Sequence, residues 1–465
     1  MKVLFTLGSR RRDRGVAMLV VITWLALMIA LVGEFTFGTT VDAAEAANAR
    51  DELRAHYMAR SSVNLARLLI KIQTKFVDPV MAQAQKMLQS AMGGSGGSSG
   101  SSSSGTGPAG GLGISLRVTD YADMLMGFFS GSKDEAMSLG SLIGLDLTNA
   151  KGLGLTSGRF DGEITPEDGK IDLNCGSQGV NDSWPKQKMV FRLLTGLMFA
   201  QRYDRLFSDA DTGGQFSSRM EVARALIDFA DGDMQLFSYD AQSTSAAEDY
   251  HYDADPRDKY RAHNNSFDSL EEIKLVRGVS DSFYEAFSPY LTVYPNSDSN
   301  KACRVNMGVI SNKDADCAPL VMGIIRAAAM GDPTKIATVD PTILDDTKLY
   351  PLATVLCDRA SAGGFDSLDT VVTVLTKPET AVLTDDPRYR VLSGMQPLTL
   401  ARKDLDAVAY VAPPRIYRIV ATGESGKVKK KITAIVDTTR TIENPLTLNP
   451  ASEQAAGVLQ YWREE

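Results

Sequence analysis

The sequence predicts an α+β protein: a long N-terminal α-helix, a small antiparallel sheet, and a large, mostly α-helical insertion carried between parts of that sheet. Three observations predict it. An apolar run at residues 16–32 leads into a stretch rich in helix formers, and the first Pro of the chain is Pro79. Apolar and polar residues alternate around 159–174 and again from 415 onward, the period of half-buried strands. Between these lie short amphipathic segments with helical spacing, over residues 181–397.

The N-terminal element comes first. Arg10, Arg11, Arg12 and Arg14 surround Asp13 and lead to Gly15, after which Val16 opens the apolar run. At about 17 residues this run is near the lower limit for a helix that spans a lipid bilayer. The arginines before it should stay on the cytoplasmic side, which would leave the rest of the chain outside. Beyond a weak point at Gly33, Ala43-Ala44-Glu45-Ala46-Ala47 and Asp51-Glu52-Leu53-Arg54 favour helix. Tyr57, Val63, Leu65, Leu68 and Leu69 then supply apolar positions at helical spacing. The helix either stops before Pro79 or restarts there and runs to residue 92, since an interior Pro ends or kinks a helix. Two simpler readings of the same stretch are a signal peptide cut near residues 40–44 and a plain single-pass anchor.

Composition bounds the rest. The 465 residues, 44% hydrophobic and 23% charged, suffice for two or three domains with proper cores. The net charge of −8 becomes −12 without residues 1–15, which carry Lys2 and the four arginines against Asp13. That balance argues against nucleic acid as a partner, because phosphate binding needs a basic face. Cys175, Cys303, Cys317 and Cys357 in an exported chain could form two disulfides, with three connectivities open; Cys303 with Cys317, closing a short polar loop, is the local expectation. No Cys pair has zinc spacing, and His56, His251 and His263 form no cluster. No Gly-x-Ser-x-Gly elbow, His-Glu-x-x-His or Cys/His pair stands out, so no catalysis is expected.

After the long helix, residues 93–113 are a Gly/Ser tract that cannot build a core and is expected to be a flexible loop. Residues 114–118 alternate like a strand. Residues 159–174 read as strand, turn, strand, with Pro166-Glu167-Asp168-Gly169 as the turn, and are expected to form a hairpin of the sheet. Helices are expected over 184–207, 219–230 and 318–330. Residues 269–295 read as two short helices joined at Arg277-Gly278-Val279, a helix-hairpin-helix; 364–397 repeats its Phe-Asp-Ser-Leu opening and reads as a second such unit. Only Lys274 and Arg277 flank the first hairpin, among Glu271, Glu272, Asp281 and Glu285, which favours a structural role over DNA binding. The chain then turns β-rich: 415–421, a turn at 424–427, 429–436, and a last strand at 458–464.

One side-chain cluster could carry chemistry. Asp228, Asp231 and Asp233 lie on one helical turn and its exit, and Glu248, Asp249 or Asp253 could be brought back to them by the following loop. A hard cation such as Ca²⁺ wants six to eight oxygens of this kind. The plainer reading is an acidic, solvated face.

These features together resemble one family. A basic leader ending in Gly before an apolar run resembles the type IV prepilin signal, which implies cleavage by prepilin peptidase after Gly15, with Val16 as the new, N-methylated terminus. Pilin-like proteins continue the apolar segment as one helix packed on a small sheet. Most carry Glu at the fifth mature position, where this chain has Val20; its loss is typical of protein K of the type II secretion pathway. Lys170-Ile171-Asp172-Leu173-Asn174 is similar to a segment of that protein, in which Asn usually replaces Asp172. Ala225-Leu226-Ile227-Asp228-Phe229-Ala230-Asp231-Gly232-Asp233 resembles its Leu-Ile-Asp-Trp-x-Asp-x-Asp signature, with Phe229 for Trp. Ser269-Leu270-Glu271-Glu272-Ile273 through Tyr290-Leu291-Thr292-Val293, and the ending Tyr461-Trp462-Arg463-Glu464, follow in the family's order.

The resemblance implies a minor pseudopilin at the tip of the secretion pseudopilus. It would be a single-pass protein of the inner membrane with a periplasmic globular part. Its implied partners are the minor pseudopilins I and J, other pseudopilins, the inner-membrane secretion platform and the lipid bilayer. It also implies a pilin-like fold with a SAM-like helical insertion, and structural Ca²⁺ in that insertion. The domain plan would be leader 1–15, membrane and pilin helix 16–92, Gly/Ser loop 93–113, first pilin-like strands 114–180, helical insertion 181–397 and last strands 398–465. A minor pilin of a type IV pilus shares the N-terminal chemistry and is the alternative; an exported DNA-binding module is a more distant one.

Overall fold

In the computed structural model, the apolar run and the helix formers after it are a single element, α1 (Asp13–Ile72). The structure describes residues 13–80, 83, 117–122, 125–126, 158–177, 183–208, 218–240, 246–248, 252, 261–296, 298, 301–313, 315–331, 339–361, 365, 367–378, 397–398, 400–439 and 457–465. Residues 1–12 of the leader, the Gly/Ser tract and the second half of the repeated hairpin unit lie outside these. Gly33 does not interrupt α1, because one exposed Gly costs a helix only about 1 kcal/mol. A π-turn, Gln73–Val77, follows, and the helix passes through Pro79 to residue 80. The expected strand at 114–118 is not seen where it is described: Val118–Tyr121 form a 3₁₀ turn.

The outer half of α1 packs on a four-stranded antiparallel sheet. Its strands are β1 (Arg159–Pro166), β6 (Ile416–Ser425), β7 (Val428–Asp437) and β8 (Val458–Glu464), in that spatial order. Buried Ala55, Ala59, Ser62, Val63, Ala66, Leu69, Ile70 and Gln73 recur every three or four residues and form the stripe that meets it. The small residues allow a close approach. A Cβ on Gly423 of β6 would lie 2.5 Å from the Ala59 nitrogen and closer still to the Ala55 carbonyl. The β6–β7 turn carries Gly426 at φ +60, as a tight hairpin requires. Across this face Lys430 pairs with Glu52 (2.7 Å) and Arg67 donates to the Gly457 carbonyl (3.1 Å). The N-terminal half of α1 has no such stripe: Val16, Leu19, Val20, Trp24, Leu27 and Leu31 are all exposed.

Residues 159–174 are not a hairpin of this sheet, contrary to expectation. β1 pairs with β6, but β2 (Ile171–Asp172) pairs in parallel with β3 (Leu291–Thr292). The turn between them is the crossing from sheet to helical lobe, and its charges are buried rather than solvated. Glu167, fully buried, holds Lys170 (3.0 Å) and Arg418 (2.7 Å). Asp168 accepts the backbone N–H groups of Arg415 (2.8 Å) and Ile416 (3.1 Å). Those satisfied partners fix the chain where a free hairpin turn would swing into water.

The larger core belongs to the helical lobe. It is built from α2 (Ser183–Met198), α3 (Arg219–Ala230), α4 (Asp281–Phe287), α5 (Ala318–Met330), α6 (Asp346–Ser361) and α7 (Leu368–Thr376). The helix expected over 184–207 ends at Met198 and resumes as a 3₁₀ segment, Gln201–Phe207. The first hairpin is a 3₁₀ turn (Leu270–Leu275) with a Ser269–Glu272 capping box, then Gly278 at φ +83, then α4. β4 (Val305–Asn306) pairs in parallel with β5 (Ala409–Tyr410), which joins Leu398, Leu400 and Leu405 in this lobe's core.

The disulfides correct the local expectation. Cys303 pairs with Cys175 (Cα–Cα 5.3 Å) and Cys317 with Cys357 (6.0 Å). Closeness in sequence misled because Cys317 sits at the N-cap of α5, facing α6, while Cys303 faces the turn that follows β2.

Candidate metal centre

α3 ends in acid. Its last turn holds Asp228 and its C-cap is Asp231, with no basic residue in that turn. The C-terminal end of a helix carries partial negative charge, so carboxylates there are unfavourable and a cation is favoured. The chain then returns on itself. Leu236 N–H donates to the Ala246 carbonyl (3.0 Å) and Glu248 N–H to the Met234 carbonyl (3.4 Å), around a bridge between Gln235 and Ala247. This pairing carries Glu248 back to the helix end. One carboxylate oxygen from each of Asp228, Asp231 and Glu248 lies within 4.8 Å of the others, and all three residues are buried.

Their hydrogen bonds are incomplete. Asp228 Oδ1 accepts the Phe237 N–H (2.7 Å), and Asp231 Oδ2 accepts from Gln187 Nε2 (2.8 Å). Among the described residues no N–H group reaches Asp231 Oδ1 or either oxygen of Glu248, and the Asp231 and Glu248 carboxyls face each other. Burial pushes all three carboxyls up, Asp231 to about 7 and Glu248 to about 10, with their mutual repulsion and Asp233 adding to it. Such a group is either protonated or neutralised by a cation.

The sequence candidates divide accordingly. Asp228, Asp231 and Glu248 come together. Asp233 stands beside them, half-buried, its Oδ1 taken by the Gln235 N–H (2.7 Å). Asp249 and Asp253 lie outside the described residues. Gln187 on α2 was not anticipated. Its signal was a polar residue on the stripe otherwise made by Val190, Phe191, Leu194 and Met198. The donor set fits a hard cation: carboxylates with orphaned oxygens and no Cys or His among them. Asp228, Asp231 and Glu248 would hold it, and the ion would supply the positive charge that lets three buried carboxylates ionise together.

The long apolar helix, the sheet packed on its C-terminal half and the helical lobe with this acidic pocket define an α+β class: a long N-terminal helix on a small antiparallel sheet that carries a helical lobe. Residues 195–296 match the family model described as "Type II secretion system (T2SS), protein K". That segment runs from α2 through the pocket and the first hairpin, and over it the resemblance carried by the motifs is borne out. Among solved structures, the chain is similar to one in "The Crystal Structure of the GspK-GspI-GspJ complex from enterotoxigenic Escherichia coli Type 2 Secretion System". The identity is 13% and the TM-score 0.36, with 83% of this chain and 99% of that chain covered. A comparison with curated proteins finds no match. α1 is long and apolar enough to cross a membrane.

Proposed function

We propose that this chain is a minor pseudopilin at the tip of a type II secretion pseudopilus, where it helps initiate the filament that exports folded proteins across the outer membrane. The observation that carries the reading is the continuity of α1. Among the described residues its first half is exposed and apolar, and its second half is packed on the sheet. A secreted soluble protein gains nothing from a rigid helix that continues its signal segment, whereas a subunit joined to others through membrane helices needs one. The match of residues 195–296 to the protein K family model supports secretion over the type IV pilus alternative. A bulky helical lobe on one side of the sheet would obstruct further subunits, so a filament end is where it fits. Val20, in place of a buried Glu, suits a subunit with no neighbour whose amine that acid would meet.

On this reading Gly15 is the cleavage site of prepilin peptidase and Val16 the retained, N-methylated terminus, anchored in the inner membrane with the lobes in the periplasm. The minor pseudopilins I and J are its partners, and the inner-membrane platform drives assembly. The pocket of Asp228, Asp231 and Glu248 binds Ca²⁺ as a structural ion of a SAM-like lobe. No catalytic role is proposed. Co-extraction from membranes tests the assembly: pseudopilins I and J should copurify with the full chain, and retention of pilus-retraction components instead would favour the alternative. For the ion, calcium should raise the melting midpoint of the full chain over its value in chelator. Equal midpoints would remove it.

A further inference from the structure

Asp231 presents its two oxygens to different surroundings, and one side chain far away in sequence decides which is which. Gln187 Nε2 donates to Oδ2 at 2.8 Å, and among the described residues no N–H group reaches Oδ1, while the side chain lies against the Glu248 carboxyl. Gln187 is 5% exposed and sits on α2, so its reach is set by a rigid element. Its stem is held from behind. Gly176 lies against it so closely that a Cβ there would stand 2.7 Å from Gln187 Cγ. Gly176 itself is fixed, being the last residue of the turn Leu173–Gly176 and next to Cys175, which is tied to Cys303.

From this arrangement we infer that Gln187 is the positioning residue of the cation pocket. By engaging Oδ2 it turns Oδ1 toward the ion, and Gly176 is the wall that keeps its amide there. The inference rests on the pocket holding a cation, as proposed above. An amide suits the task because it donates to a carboxylate without bringing a charge that would compete with the ion. Partners that orient a metal ligand from behind are worth about 10- to 100-fold in metal affinity when removed.

The test uses the full chain in detergent, stripped with chelator and titrated with calcium by calorimetry. Gln187→Met keeps the length and loses the donor; it should weaken calcium binding by about 10- to 100-fold. Gly176→Ala, which leaves Gln187 in place but pushes on its stem, should weaken binding in the same direction. The melting midpoint in chelator separates this from a packing role, which would lower that midpoint and leave the dissociation constant unchanged. Parent-like affinity in both variants overturns the inference while leaving the cation pocket standing. Absence of calcium binding by the parent chain overturns the pocket and the positioning role together. Should Gln187→Met fail to fold, Gly176→Ala alone decides, by the same criterion.

Discussion

Asn174 and Phe267 hold each other by a two-point clamp. Asn174 Nδ2 donates to the Phe267 carbonyl and the Phe267 N–H donates back to Asn174 Oδ1, both at 2.8 Å. The same Nδ2 reaches the Val293 carbonyl (2.6 Å), so one buried side chain joins the segment that leaves the sheet to both ends of the first helical hairpin. The Phe267 ring stacks in turn on Phe229, within the acidic helix end (centroids 5.6 Å apart). Asn174→Ala should therefore cost about 3 kcal/mol, since it orphans a buried N–H and two carbonyls. Chemical denaturation of the full chain checks this, and a loss below about 0.5 kcal/mol would show that the clamp is idle.

Two residues earlier, Asp172 spends one carboxylate oxygen on the Asn174 N–H (2.9 Å) and, among the described residues, has no partner for the other. Burial raises its pKa from 3.8 to about 7. A raised folded-state value means the native protein holds the proton more tightly than the unfolded chain. The stability this contributes is full below pH 3.8 and is lost as pH rises towards and through 7. Asp172→Asn should thus leave stability nearly unchanged at pH 4 and increase it at pH 8, by up to about 4 kcal/mol. Melting both proteins across that range is the check, and parallel curves would refute it.

Gly423 sets how closely the stem approaches the sheet. A side chain there would press on the backbone at Ala55 and Ala59, which cannot yield as a flexible side chain would. Gly423→Val should destabilise by about 3 kcal/mol and speed protease cleavage between stem and sheet. Unaltered melting and cleavage would mean the helix is not seated as described.

The disulfides make a covalent prediction. Peptide mapping without reduction should recover Cys175 linked to Cys303 and Cys317 linked to Cys357, with no Cys303–Cys317 peptide. Replacing Cys317 and Cys357 together by Ser should cost about 4 kcal/mol, from the 40-residue separation that the bond closes.

Local patterns were legible and long-range ones were not. The stem, the helices at 219–230 and 318–330, the β6–β7 hairpin and the last strand all follow from periodicity and turn residues that lie within one window. The expected 159–174 hairpin failed because β2 finds its partner 120 residues downstream, at Leu291, which no local alternation encodes. Cysteine spacing failed for the same reason. In the acidic pocket, Asp228 and Asp231 were readable from their helical turn, and Glu248 from the loop that could return it. Gln187 was not, since its role depends on how α2 crosses the end of α3. Its one trace, a polar residue on an apolar stripe, is shared by many residues that merely satisfy a buried carbonyl.

The account rests on α1 being kept as the stem of the mature protein. Intact-mass analysis of the membrane-extracted chain, with N-terminal peptide sequencing, tests this most directly. The account predicts a polypeptide that begins at Val16, methylated on its amine, and remains in the membrane fraction until detergent is added. A soluble product beginning near Glu45, without the apolar helix, would contradict it.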